Sequence, residues 1–155
     1  MQIERTLLAA QGYIELDMTD EALRELDELP LECQNQQEVL QVRLFIFMRS
    51  RRWRDAMRVC DRLRESDPKQ TTGYIHGAFC LHEMGQTREA KDLLLSGPAA
   101  LLREATYYYN LGCYDAVLGN LEEAQHAIEI SFKMDDKFRE IAKYDPDLKE
   151  VVALM

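Results

Sequence analysis

The chain is without the short motifs that announce chemistry. It has no Cys-x-x-Cys pair, no glycine-rich phosphate loop and no His-Glu-x-x-His run, and His76, His82 and His126 stand beside no serine or cysteine in a nucleophile–base spacing. His82-Glu83 is the nearest approach to a metal fragment and reads as a helix surface. Catalysis, a bound metal and a cofactor are therefore not expected. Basic charge is also short: 19 Lys and Arg stand against 28 Asp and Glu, a net of -9. Such a chain is repelled at long range by phosphate backbones and anionic lipid, so nucleic acid is not an expected partner. No basic N-terminal segment leads into an apolar run, and no window is long enough to span a bilayer, which predicts a cytoplasmic protein without membrane insertion. The four cysteines, Cys33, Cys60, Cys80 and Cys113, are scattered and read as buried thiols.

What remains is a composition that folds. Hydrophobic residues make up 46% and charged residues 30%, far from the balance of a disordered chain, and 155 residues suffice for one core or a short repeat array. A repeat is present. Ala22, Ala56, Ala90 and Ala124 are spaced by 34 positions, and each follows an acidic residue, Glu21, Asp55, Glu89 or Glu123. The ladder sets repeats at 3–36, 37–70, 71–104 and 105–138 without insertion, followed by a cap over 139–155, all within a single domain spanning 1–155. The eighth place reads Ala10, Leu44, Ala78, Gly112, mostly small; the twenty-fourth reads Leu26, Cys60, Leu94, Ile128, all apolar.

Tyr108-x-x-Leu111-Gly112, then Gly119, Ala124 and Ile128 in the fourth repeat, with Trp53, Ala56 and Pro68 in the second, carry a pattern that resembles the tetratricopeptide repeat. The resemblance covers residues 3–138 and implies an all-α fold, a right-handed superhelical α-solenoid of antiparallel helix pairs. Departures from the family pattern are Arg43, Leu44 and Arg51 in the second repeat, and Asp115 at an eleventh place usually aromatic.

Spacing of apolar residues such as Val117, Leu121, Ala124 and Ile128 follows a helix face. Met84-Gly85-Gln86 and Leu118-Gly119-Asn120 put glycine where a helix end turns through positive φ. Asn120 with Glu123 predicts a capping box at the last repeat's second helix. Ser96-Gly97-Pro98 predicts an early stop to the third repeat's second helix and a new helix from near Ala99. In the cap, 138–144 has helical spacing, and Pro146 suits the first turn of a last short helix.

In the family, the second, fifth, ninth and twelfth places of each first helix face a concave groove. Those places give a partner-binding lining of Leu7, Gln11, Ile14, Gln41, Phe45, Met48, Ile75, Phe79, His82, Tyr109 and Cys113. Core packing is the competing reading for the aromatic and aliphatic members. If exposed together they predict a seat for a peptide or amphipathic helix. The cationic clamp by which some members grip a chaperone tail is replaced here by Leu7, Gln11, Val42, Thr72 and His76. A second candidate surface is basic: Arg49, Arg51, Arg52, Arg54 and Arg58, continued by Arg62 and Arg64, whereas residues 1–38 hold ten acidic side chains against Arg5 and Arg24. Its competing reading is a solvated face neutralised by Asp55, Asp61 and Glu65. The sequence thus predicts an interaction module, adaptor or chaperone-like, that holds another protein in its groove. The alternative is an assembly scaffold in which the arginines of one copy meet the acidic repeat of another.

Overall fold

A computed structural model describes residues 2–155, and among them every regular element is helical. Two compact units divide the chain, Met1–Asp67 and Pro68–Met155. The first holds α1 (Gln2–Glu15), α2 (Thr19–Asp27), α3 (Gln37–Arg49) and α4 (Trp53–Ser66), with a short 3-10 turn at Leu31–Cys33. The second holds α5 (Thr72–Glu83), α6 (Thr87–Leu95), α7 (Ala105–Val117), α8 (Leu121–Met134), α9 (Lys137–Lys143) and α10 (Lys149–Leu154), with 3-10 turns at Ala99–Arg103 and Pro146–Leu148. Helices pair as the 34-residue frame requires: α1 on α2, α3 on α4, α5 on α6 and α7 on α8.

Each pair is closed by the same turn. The backbone N–H of Met18, Arg52, Gln86 and Asn120 donates to the carbonyl five residues back, on Tyr13, Phe47, Leu81 and Asp115, at 2.8–2.9 Å. This six-to-one bond needs a left-handed residue just before the donor. Asp17 (φ 57), Arg51 (φ 58), Gly85 (φ 82) and Gly119 (φ 86) occupy that place, one per repeat. The turn thus survives in two repeats where its residue has a Cβ and bears the strain of a left-handed conformation. Immediately after it, the carbonyl of the same donor residue opens the next helix by accepting from the ladder alanine, as Met18 does from Ala22 and Asn120 from Ala124. The backbone alone makes these junctions. No side chain caps α8; the amide of Asn120 turns instead to Asp115, donating to Oδ1 at 3.1 Å, which replaces the expected capping box.

Small residues set the spacing inside a pair. All four ladder alanines are fully buried, and a Cβ added to Gly112 on α7 would lie 2.6 Å from the Ile128 side chain and 3.2 Å from the Ala124 carbonyl on α8. The core of the first unit gathers Ala10, Ile14, Ala22, Leu26 and Ile46; that of the second gathers Leu94, Leu101, Tyr114, Ile128, Leu148 and Val151 among others. Cys60, Cys80 and Cys113 are buried, but Cys33, in the 3-10 turn, is only half-buried, a correction to the expectation of four buried thiols.

The third repeat departs from the expectation after its break. Helix α6 stops at Leu95 as predicted, but Ala99–Arg103 is a 3-10 turn and α7 starts only at Ala105. Within that turn Leu101 is buried over Gly97: a Cβ at Gly97 would meet Leu101 Cδ1 at 2.3 Å. Glu104 is then extended (φ -112, ψ 124), so the chain must restart its helix after it. Asp115, at the place where the family has an aromatic residue, is buried and takes the ammonium of Lys91 on α6 at 2.6 Å, so a charge pair ties α6 to α7. Among the described residues no helix is long and apolar enough to cross a membrane.

The turn geometry sets a direction for two substitutions. Arg51→Gly relieves a left-handed Cβ at the expense of a looser unfolded chain, with an expected net gain of about 0.5–1 kcal/mol. Gly85→Ala meets no atom within 4 Å, so its expected loss of about 1 kcal/mol comes from φ alone. Thermal unfolding checks both: the midpoint rises for the first variant and falls for the second.

Candidate functional site

The frame places two faces on first helices, one in each unit, and their fates differ. In the first unit, α1 contributes Leu7, Gln11, Ile14 and Glu15 at three- and four-residue spacing, and α3 contributes Glu38, Gln41, Val42, Phe45 and Arg49. Together they line an open cleft of about 500 Å³. Ile14 forms its buried floor, Leu7 and Val42 are half-buried, and Phe45 is 51% exposed. Gln11 and Gln41 are exposed along it. Arg49 reaches Asp17, just past α1, at 3.5 Å, drawing together the C-terminal ends of α1 and α3. Of the sequence-predicted lining, five residues meet here: Leu7, Gln11, Ile14, Gln41 and Phe45. Met48 is half-buried and does not line the cleft.

In the second unit the corresponding face is covered by the chain's own C-terminal segment. Tyr109 Oη donates to Asp145 Oδ2 at 2.7 Å, its ring stacks on Phe138 with centroids 4.8 Å apart, and Cys113 Sγ lies 3.6 Å from the same carboxylate oxygen. His82 on α5 is held at both ring nitrogens, Nε2 to Asp147 Oδ2 at 2.8 Å and Nδ1 to Thr87 Oγ1 at 2.9 Å. With its proton on Nε2 the ring donates to Asp147 and accepts from Thr87. Asp145 also accepts from the Asp147 N–H, fixing the turn that starts Pro146–Leu148, and Leu148 and Val151 are fully buried. Tyr109, Cys113 and Ile75 are buried, and Phe79 is half-buried. Of the two readings, open groove or packed face, this unit takes the second: the polar tips of Tyr109 and His82 and the thiol of Cys113 face Asp145 and Asp147.

Burial dominates the electrostatics of this cluster. Burial, and then the charges of Asp145 and Asp147, push the Cys113 thiol well above its ordinary pKa, so it stays protonated and poorly nucleophilic. The Tyr109 hydroxyl is pushed up as well, first by burial and then by its bond to Asp145. Elsewhere in the unit, burial lowers the pKa of His76, opposed by the nearby Glu104 charge. Among the described residues, no three His, Cys, Asp or Glu side chains gather as metal ligands.

Several of the arginines pair close by along the chain. Asp55 accepts from Arg52 Nε at 2.9 Å on one oxygen and from Arg58 Nη1 at 3.0 Å on the other, while the Arg52 guanidinium lies 5.0 Å over the Phe47 ring. Arg64 pairs with Asp61. Arg49 belongs to the apolar cleft, Arg51 is the left-handed turn residue, and Arg54 is exposed on α4. Arg58 and Arg62 line a wider depression of about 840 Å³ with Arg43, but Asp27, Asp55 and Glu65 line it too, so it holds no excess of either charge. Arg43, which replaces the family's usual leucine, spans Asp27 at 2.7 Å and Gln34 at 2.6 Å. Sequence reasoning missed this link, the Lys91–Asp115 pair and the seating of the C-terminal carboxylates; each joins residues on different elements.

Two measurements separate binding from packing in these faces. Phe45→Ala removes a half-exposed ring and should change stability by less than about 0.5 kcal/mol, whereas Leu148→Ala empties a fully buried site and should cost about 2–4 kcal/mol, both read from urea unfolding. The pH dependence has a set sign as well. The folded-state pKa of His76 lies below 6.5, so the unfolded chain takes the proton first and stability falls as pH drops through 6.5 toward that lower value. The slope of the unfolding free energy between about pH 6.5 and 5.5 should flatten in His76→Gln.

No family model matches the chain, and no curated protein matches it in sequence. Solved structures do. MamA 41-end from Desulfovibrio magneticus RS-1 superposes with a TM-score of 0.74 at 21% identity, over 87% of this chain and 76% of that one. A MamA RS-1 double mutant gives 0.74 at 20% identity over 99% and 94% of the two chains, and MamA of MSR-1 gives 0.70 at 15% over 85% and 76%. At such identities the likeness speaks for the fold, and it joins the 34-residue ladder, the paired helices and the fourfold turn in one conclusion. The chain has the all-α tetratricopeptide-repeat fold.

Proposed function

We propose that this protein works by binding, not catalysis, and that its partner is a segment of another protein held in the cleft between α1 and α3. The observation that carries the reading is Phe45, a half-exposed ring over an apolar floor of Leu7, Ile14 and Val42, at a helix place where the repeat fold usually turns its side chains to a ligand. An apolar cleft of about 500 Å³ with amide side chains along it accommodates several side chains of a peptide or one face of an amphipathic helix. The second unit supports the same reading, since its corresponding face already holds a polypeptide segment, the chain's own. Tyr109, Cys113 and His82 serve in this reading as the seat of that segment, and Leu7, Gln11, Ile14, Gln41 and Phe45 as the contacts for a partner.

Self-association through the arginines is the weaker reading. Asp55 accepts from both Arg52 and Arg58, and Arg49 lies 3.5 Å from Asp17, so three of the five arginines already face an aspartate of their own chain. Panning a displayed library of random 12-residue segments against the full chain tests the cleft. Enriched binders should be retained by the wild type and released by Phe45→Glu, with circular dichroism unchanged between the two. Equal retention on both chains removes the cleft from the reading.

A further inference from the structure

The chain's own C-terminal segment is an example of what the inner face of these helix pairs accepts, and it is an acidic one. Asp145 and Asp147 carry its polar contacts, and they are received by a hydroxyl on Tyr109 and a ring nitrogen on His82. Moving back two repeats, 68 positions, places Gln41 where Tyr109 stands, Ile14 where His82 stands and Phe45 where Cys113 stands. The aromatic hydroxyl and the imidazole are gone. The α1/α3 cleft has instead an aliphatic floor, a half-exposed aromatic ring and two exposed carboxylates: Glu15, whose counterpart in the second unit is Glu83, and Glu38, which stands where that unit has Thr106. Among the described residues Arg49 is the one cation of its lining, and Asp17 lies 3.5 Å away to draw it off.

A carboxylate brought to this cleft would lose hydration, find neither of the donors that receive it in the second unit, and meet charge of its own sign. A lysine or arginine would meet Glu15 or Glu38 and lay its aliphatic stem along the apolar strip. Resting on the binding role proposed above, we infer that the cleft selects an amphipathic segment with basic residues, an apolar side chain packing on Phe45 and cations reaching Glu15 and Glu38, and that it rejects acidic segments of the kind seated in the second unit.

Three labelled 11-residue probes test this on the full chain by fluorescence anisotropy: the sequence of residues 145–155, the same sequence with its Asp and Glu changed to Lys, and a scramble of that lysine probe. The lysine probe should bind at least tenfold tighter than the parent and the scramble. Its affinity should fall at least tenfold in Glu15→Gln, Glu38→Gln, tenfold in Phe45→Ala, and tenfold between 50 mM and 500 mM salt. If the parent probe binds as tightly and Phe45→Ala weakens both, charge selection is overturned while the cleft remains a binding site. If the lysine probe binds no better than its scramble, or ignores Phe45→Ala, the attraction is nonspecific and both the selection and the cleft fall. If no probe binds, the selection is overturned and the library panning decides the cleft alone.

Discussion

Every helix pair in this protein depends on a place where two backbones come close enough that only a small side chain fits between them. Ala22, Ala56, Ala90 and Ala124 supply it on the second helix of each pair, and Gly112 shows how little room is left on the facing one. Close approach lets the flanking leucines and isoleucines interdigitate at interior density, and it fixes where along the two helices they meet. The turn then has little freedom, and it takes the same six-to-one bond four times even where its left-handed residue is Asp17 or Arg51. Packing overrules local preference at those two positions. The strain at a left-handed arginine, about 1 kcal/mol, is small beside the burial that the pair secures.

On this uniform backbone the side chains make the two inner faces unequal. The second unit places a hydroxyl, a thiol and an imidazole where a returning carboxyl-rich segment can meet them, and it closes over them with Leu148 and Val151. The first unit, at the same repeat places, keeps an aromatic ring open to solvent and flanks it with carboxylates. Charge elsewhere is balanced locally: most of the arginines of α3 and α4 find an aspartate within a turn or across a short span. Exposed pairs of that kind contribute about 0–1 kcal/mol each and shape the surface more than the stability.

The sequence carried the fold to the extent that the fold is local. A ladder of alanines in one phase, glycines at two of four turns and the Ser96-Gly97-Pro98 stop are features of neighbouring residues, and the helices follow them. Where α7 begins was not legible, because Leu101 is drawn onto Gly97 and only the folded packing reveals that attraction. The capping box at Asn120 failed for a related reason: a buried carboxylate on Asp115, one turn of chain away, is a better acceptor for that amide. For the site, the periodic frame's places on α1 and α3 bring Leu7, Gln11, Ile14, Gln41 and Phe45 to one cleft but not Met48. It could not see that α5 and α7 are covered, since the bonds responsible join residues 36 and 65 positions apart and leave no trace in spacing.

The covered face also gives the molecule an internal reporter. Cys113 is buried with its thiol 3.6 Å from Asp145, so any local lifting of the 145–151 segment would open that thiol to reagents in solvent. The frequency of that lifting is a free energy, set by two carboxylate contacts and two buried aliphatic side chains, and it is separate from the free energy of unfolding the helices beneath. Labelling at Cys113, resolved site by site from the half-buried Cys33, would therefore measure the local equilibrium between a closed and an open end of the chain, with no foreign probe introduced.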